Sequence, residues 1–257
     1  MQTLAFLFVV AVLGGALNSV AGGGSFIALP ALIYAGVTPV AANATTTLAL
    51  WPGSLASAIA YRREISAVRP WLVSLGVVSL AGGLLGGWLL MRTSDVRFLR
   101  LLPWLMFAAA LTFSLGDRVT GRFRARPATA SGASTARAVP RTPFWILLFQ
   151  LAVATYGGYF GGGMGIMMLA AFAVAGMADI HEMNGLKALL AVAINGVALV
   201  EFIAGGAIVW APGLVMVAGG IAGGYAGAMT ARRINPGAVR AFVIVVAWTM
   251  TAYFFVR

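Results

Sequence analysis

Ala21-Gly22-Gly23-Gly24-Ser25-Phe26-Ile27-Ala28-Leu29-Pro30 interrupts an apolar run, and Gly161-Gly162-Gly163-Met164-Gly165 interrupts another one 140 residues later. Three consecutive glycines cannot hold a stable helix, because each loses more backbone freedom than any other residue. The chain therefore breaks at both places. Each break precedes an unusually short apolar segment, residues 25–36 and 164–177. Ser25 is placed to cap the first of these short helices. Irregular backbone inside an apolar environment is tolerated where it lines a cavity. A helix start there offers free N–H groups and a partial positive charge, which suits an anion. Close packing through small residues is the competing explanation of the glycines.

The surroundings of the breaks fix the class. Of 257 residues, 61% are hydrophobic and 9% charged, with a mean hydropathy of +0.96. A soluble domain carries about 25% charged residues, so this chain could not cover itself with polar groups in water. Cysteine is absent and His181 is the only histidine, which removes disulfide frameworks, thiolate sites and multi-histidine metal motifs. No cofactor is expected. The net charge of +11 comes from 17 basic against 6 acidic residues. Arginines concentrated between apolar segments are the mark of a membrane protein, not of nucleic-acid binding. The apolar run from Leu4 lacks a basic leader and a clear cleavage site, and reads as a retained first helix.

Ten apolar segments follow, at about 3–20, 25–36, 40–61, 70–91 and 96–115, then 143–160, 164–177, 183–204, 210–230 and 237–256. The two sets repeat. Gly22-Gly23 and Gly36 match Gly162-Gly163 and Gly176 at a spacing of 140, and Asn43, Ser54 and Tyr61 match Asn184, Asn195 and Phe202 at 141. Gly82-Gly83 with Gly86-Gly87 matches Gly219-Gly220 with Gly223-Gly224 at 137, and Val96-Arg97 matches Val239-Arg240. The expected fold is all-α: a polytopic transmembrane helix bundle of two five-segment repeats, 1–115 and 143–257, joined by a basic cytoplasmic linker, 116–142. The positive-inside rule puts that linker, the Arg62-Arg63-Arg69 loop and the Arg232-Arg233 loop, with Arg240, in the cytoplasm, and Gly205-Gly206 outside. Arg92, Arg97 and Arg100 then fall outside, against the rule. Each repeat crosses an odd number of times, so the repeats are inverted, a recurrent transporter architecture. A 12-residue helix covers about 18 Å of a core about 30 Å thick, so each short segment is a half helix or the return arm of a hairpin.

Polar residues inside the apolar segments mark the candidate site. Asn43, Thr46, Thr47, Ser54, Ser57 and Tyr61 fall within about half of one helix circumference. Asn184, Lys187, Asn195 and Glu201 do the same in the second repeat. Such side chains face the bundle interior or a water-filled path, although helix-to-helix hydrogen bonding accounts for Thr47 and Ser57. Lys187 is the only lysine in the chain. It either meets an oxyanion or snorkels to the interface beside Glu182 or Asp179. Glu201 lies deep or at the outer interface near Gly205, and is the candidate for proton coupling. Asp179, His181 and Glu182 read as a solvated turn. The Gly82–Gly87 and Gly219–Gly224 clusters read as close helix packing. The candidate substrate-binding set is Gly22, Gly23, Gly24, Ser25, Asn43, Thr46, Ser54, Gly161, Gly162, Gly163, Asn184, Lys187 and Asn195.

The stretches Asn18-Ser19-Val20-Ala21-Gly22-Gly23-Gly24-Ser25, Leu29-Pro30-Ala31-Leu32, Gly36-Val37-Thr38-Pro39 and Ala42-Asn43-Ala44-Thr45-Thr46 carry a family resemblance. So do Gly157-Gly158-Tyr159-Phe160-Gly161-Gly162-Gly163-Met164-Gly165, Asn184-Gly185-Leu186-Lys187 and Asn195. Together they resemble the sulfite exporter TauE/SafE family, also called toluene-sulfonate uptake permeases, across the whole chain. Two places depart from the pattern: Thr45-Thr46-Thr47 is richer in hydroxyls, and Met164 sits in the glycine run. The resemblance implies secondary transport of sulfite, sulfonates or related sulfur compounds across a bacterial inner membrane. Its partners would be a small anionic sulfur-containing substrate, the lipid bilayer and, as the candidate coupling ion, protons; a homo-oligomer is left open. A passive anion channel, or a transporter of another small organic anion, would show the same features, and a non-transporting receptor subunit leaves the paired breaks unexplained. An intramembrane hydrolase would need a serine beside a base, whereas Ser25 and His181 lie in different halves.

Overall fold

The computed structural model describes residues 2–20, 23–62, 68–124, 143–177, 179–230 and 236–256, with side chains at 20, 69–70, 117–124, 228, 230, 236–237 and 240 excepted. Gly22, Arg63 and Arg232-Arg233 lie outside the described residues, as do 125–142 of the expected linker. The described residues form ten α-helices and no strand. These are α1 (Gln2–Val20), α2 (Ser25–Tyr34), α3 (Pro39–Ala60), α4 (Arg69–Met91), α5 (Asp95–Arg124), α6 (Phe144–Tyr159), α7 (Met164–Val174), α8 (Ile180–Ala204), α9 (Trp210–Thr230) and α10 (Pro236–Val256). Four described stretches are long and apolar enough to cross a membrane: Gln2–Ser19, Trp71–Met91, Asp95–Gly116 and Ile180–Ala204.

Several boundaries differ from the sequence reading by a few residues or more, and two have a visible cause. Helix α5 continues to Arg124, past the expected end at 115. No proline stands between Pro103 and Pro127 to break its hydrogen-bond ladder. Helix α8 starts at Ile180 instead of 183, because Asp179 caps it, accepting from the His181 amide at 2.7 Å and the Glu182 amide at 3.2 Å. The expected solvated turn is thus a helix N-cap with Glu182 in the first turn, where a carboxylate meets the favourable end of the helix dipole.

The short segments fold back as hairpins. Tyr34 at the end of α2 meets Phe6 near the start of α1 edge to face, with ring centroids 6.1 Å apart, while Gly24 packs on Gly14. In the second half, Gln150 of α6 donates to the Met168 sulfur at 3.4 Å, and Gly157 packs on Met164. The ten residues of α2 span about 15 Å, so it is a return arm and does not cross.

Glycines set the long crossings. Gly219, Gly223 and Gly227 of α9 pack in order on Phe8, Val12 and Ala16 of α1, so these helices run in the same direction. Gly82 and Gly86 of α4 pack on Leu151, Ala154, Thr155 and Tyr159 of α6 in the same sense. The opposite edge of α4 lays Gly83 and Gly87 on Ile194 and Ala198 of α8. Most of these glycines leave under 3 Å for an added Cβ, so they are closely packed helix surfaces, as read from the sequence. The pairings recur when each helix is replaced by the one five places on: α1 with α9 becomes α6 with α4, and α4 with α8 becomes α9 with α3. Helices α3 and α8 cross at the centre, where the Trp51 indole donates to the Val192 carbonyl at 3.1 Å over Gly196.

Candidate functional site

The two glycine breaks meet α3 and α8 around a cavity of about 290 Å³. Its wall contains Gly23 and Ser25 from the first break, and Gly161, Gly163, Met164 and Gly165 from the second. Helix α3 contributes Thr46, Thr47, Leu50, Ser54, Ser57 and Tyr61, and α8 contributes Asn184, Lys187, Ala188, Ala191 and Asn195. Asn18, Ser19, Phe113, Phe160, Ile166 and Leu169 complete it.

Local backbone geometry explains why the breaks are glycine. Gly23 has φ +121°, and a Cβ there would also meet Val243 at 2.8 Å. Gly163 has φ +81°, with Ala109 at 3.0 Å. Both are left-handed conformations that a side chain disfavours. Tyr156 ties the second break to α5: its single hydroxyl proton lies between the Gly162 carbonyl at 2.7 Å and the Leu105 carbonyl at 3.1 Å.

The helix starts differ from expectation in one respect. Gly24, not Ser25, is the N-cap of α2, and no side chain caps it. The Phe26 amide bonds the Gly23 carbonyl at 3.0 Å and the Ile27 amide bonds Gly24 at 3.2 Å, so backbone carbonyls close the turn. Ser25 becomes the first helical residue, on the cavity wall. Helices α2 and α7 both begin at the cavity, and their aligned peptide dipoles place partial positive charge there.

Among the described residues, Lys187 is the only cationic side chain lining the cavity, and no carboxylate lines it. Its ammonium donates to Asn184 Oδ1 at 3.0 Å, and no ion pair to it exists among the described residues. Its stem lies over Gly165. The pairing with Glu182 or Asp179 weighed from sequence is therefore not what holds it. Thr46 is 3% exposed and its hydroxyl has no hydrogen-bond partner. Thr47 and Ser57 donate to the Asn43 and Gly53 carbonyls one turn back, at 3.1 Å each.

Of the residues chosen from sequence, Gly23, Ser25, Thr46, Ser54, Gly161, Gly163, Asn184, Lys187 and Asn195 come together on this wall. Asn43 does not. It is 2% exposed and donates to the Tyr159 carbonyl at 2.9 Å, clamping α3 to the end of α6. Gly24 and Gly162 do not line it, and Gly22 lies outside the described residues. Glu201 is away from the cavity, half-buried against Gly87 of α4, and its Oε2 has no partner. Asn18, Ser19, Phe113 and Phe160 were missed as site residues. Asn18 and Ser19 carried a signal, as two polar residues in the last turn of an apolar helix; the two phenylalanines carried none.

The sulfite exporter TauE/SafE family profile matches residues 7–254. The chain belongs to this family. Relatives of this chain include a "Probable membrane transporter protein" of Haemophilus influenzae, 28% identical over 97% of this chain and 93% of that one. The "Probable membrane transporter protein YfcA" of Escherichia coli K12 is 29% identical over 97% and 88%. No solved structure matches. This TauE/SafE chain is a multi-pass bacterial membrane transporter, not an enzyme.

Proposed function

We propose that the protein is a secondary transporter of a small sulfur-containing oxyanion, such as sulfite or an organosulfonate, built on two inverted repeats. The observation that carries the reading is the cavity wall: among the described residues it has one cation, two helix N-termini, Ser, Thr and Asn donors, and no carboxylate. Lys187 attracts the anion, and Thr46, Ser54, Asn195 and Ser25 donate to its oxygens. Phe113 and Phe160 supply an apolar side for a substituent. Thr46 and Lys187 occupy the same place in the two repeats, at the spacing of 141 that relates Ser54 to Asn195. The parallel runs of α1 with α9 and of α4 with α6 support inversion. The second repeat starts from the end where the first finishes, and the basic linker marks that end as cytoplasmic. Glu201 is the proton-coupling carboxylate of this reading, since an intramembrane acid without a partner is a functional group by default.

Ligand-dependent melting of the purified protein in detergent tests the substrate class. A ligand at 100 times its Kd stabilises the fold by about 2.7 kcal/mol. Sulfite, thiosulfate, sulfate, sulfoacetate and taurine are compared with phosphate and acetate. Stabilisation confined to sulfur anions is expected. Equal stabilisation by acetate would reassign the substrate to small organic anions in general.

A further inference from the structure

The two repeats contain the same seam in two different states. In the first, α4 lies shut on α8. A Cβ at Gly83 would meet Val197 at 2.7 Å, and one at Gly87 would meet a Glu201 carboxylate oxygen at 2.5 Å and Ala198 at 3.1 Å. The counterparts on α9, facing α3, are Gly220 and Gly224. Gly220 is still seated, since a Cβ there would come within 2.6 Å of the Ala49 carbonyl. A Cβ at Gly224 would meet, among the described residues, only the Gly15 carbonyl, at 3.9 Å. The facing helices agree with this. Ser57 and Tyr61 of α3 line the cavity, while their equivalents on α8, Ala198 and Phe202, are 0% exposed. The asparagines differ in the same way. Asn43 bridges to the Tyr159 carbonyl, but its equivalent Asn184 donates to the Ile180 carbonyl within its own helix, at 2.9 Å.

We propose that these seams are two alternating gates, with the α4–α8 gate shut and the α3–α9 gate open in this structure, and that transport exchanges them. The inference rests on the transporter reading with inverted halves. In the exchanged state Gly224 seats against Ser57 and Tyr61 is covered. Asn184 then donates to the carbonyl of Ser19, the counterpart of Tyr159 at the spacing of 140. At the same time Gly87 parts from Ala198, and Glu201 meets water from the opposite face. Glu201 has no acidic equivalent, since Ala60 holds its place in the first repeat. Among the described residues, only the α4–α8 gate therefore carries a carboxylate.

Gly224→Ala separates this role from ordinary packing. Among the described residues the added methyl meets nothing closer than 3.9 Å in the present state, and alanine favours helix over glycine, so the melting temperature should equal or exceed wild type. The exchanged state cannot accept the methyl. Transport should fall by about tenfold or more, the shift that methyl-sized overpacking of one state produces. The absence of native cysteine allows Ser57→Cys as a reporter, labelled with an impermeant maleimide from the linker face. Adding Gly224→Ala should hold that thiol permanently reactive. In a second variant, Ser19→Cys with Asn184→Cys should form a disulfide under mild oxidation during turnover. Wild-type transport in Gly224→Ala, or no disulfide in the folded double variant, overturns the proposal. Labelling and cross-linking do not depend on which anion is carried. A protein showing both but moving no sulfur anion keeps the gates and loses the substrate assignment.

Discussion

Lys187→Met isolates the electrostatic core of the site. Methionine preserves the apolar stem that lies over Gly165 and removes only the ammonium. A charge-assisted hydrogen bond contributes about 1.5–3 kcal/mol net. The bare Coulomb attraction of two unit charges 4 Å apart is about 4 kcal/mol at an effective dielectric of 20, which bounds that figure from above. At about 1.4 kcal/mol per tenfold, the apparent affinity for the anion should weaken by roughly 10- to 150-fold. Stability should move the other way. The ammonium has one neutral partner, Asn184, and no ion pair among the described residues. An uncompensated intramembrane cation costs about 3 kcal/mol at a helix centre, so the variant should melt no lower than wild type. The assay is the substrate-concentration dependence of uptake into proteoliposomes, beside melting curves of the same preparation. An apparent affinity within about twofold of wild type, less than the smallest contribution assigned to the bond, would refute the reasoning and make Lys187 an interfacial anchor.

Glu201→Gln should leave exchange of substrate for substrate intact and abolish the response to a pH gradient; a gradient response that survives removes Glu201 from coupling. Thr46→Val should slow transport by about tenfold through loss of one donor to a charged ligand, with no loss of stability because that hydroxyl has no partner in the fold; an unchanged rate would place the anion elsewhere. Gly86→Ala should lower stability by about 1–3 kcal/mol, because the methyl would run into the Thr155 carbonyl and the Tyr159 amide; denaturation showing no loss would contradict the tight α4–α6 crossing.

The architecture was legible because punctuation by glycine, proline and arginine is a local signal. The ten segments and the glycine crossings follow from it almost helix for helix. The polar stripe of α3 likewise located its cavity face, since period and polarity are read from one helix alone. What escaped depends on relations between helices. Asn43 shares the stripe with Thr46, yet the end of α6 takes its amide, and no pattern within α3 reveals that partner. Phe113 and Phe160 line the site as ordinary apolar residues. Ser25 looked like a cap, but the left-handed Gly23 lets backbone carbonyls close the turn, which frees the serine for the wall. The fold-back of α2 and α7 could be posed from their lengths, but deciding it required the contacts of Tyr34 with Phe6 and of Met168 with Gln150.

Counterflow of labelled sulfite in liposomes carrying the purified protein tests the central claim most directly. Transient accumulation driven by unlabelled sulfite inside is predicted, competed by sulfur oxyanions and not by phosphate or acetate, and weakened in Lys187→Met. Flux that follows voltage and shows no trans-stimulation would make the protein a channel, and no movement of any sulfur compound in vesicles holding folded protein would contradict the substrate assignment.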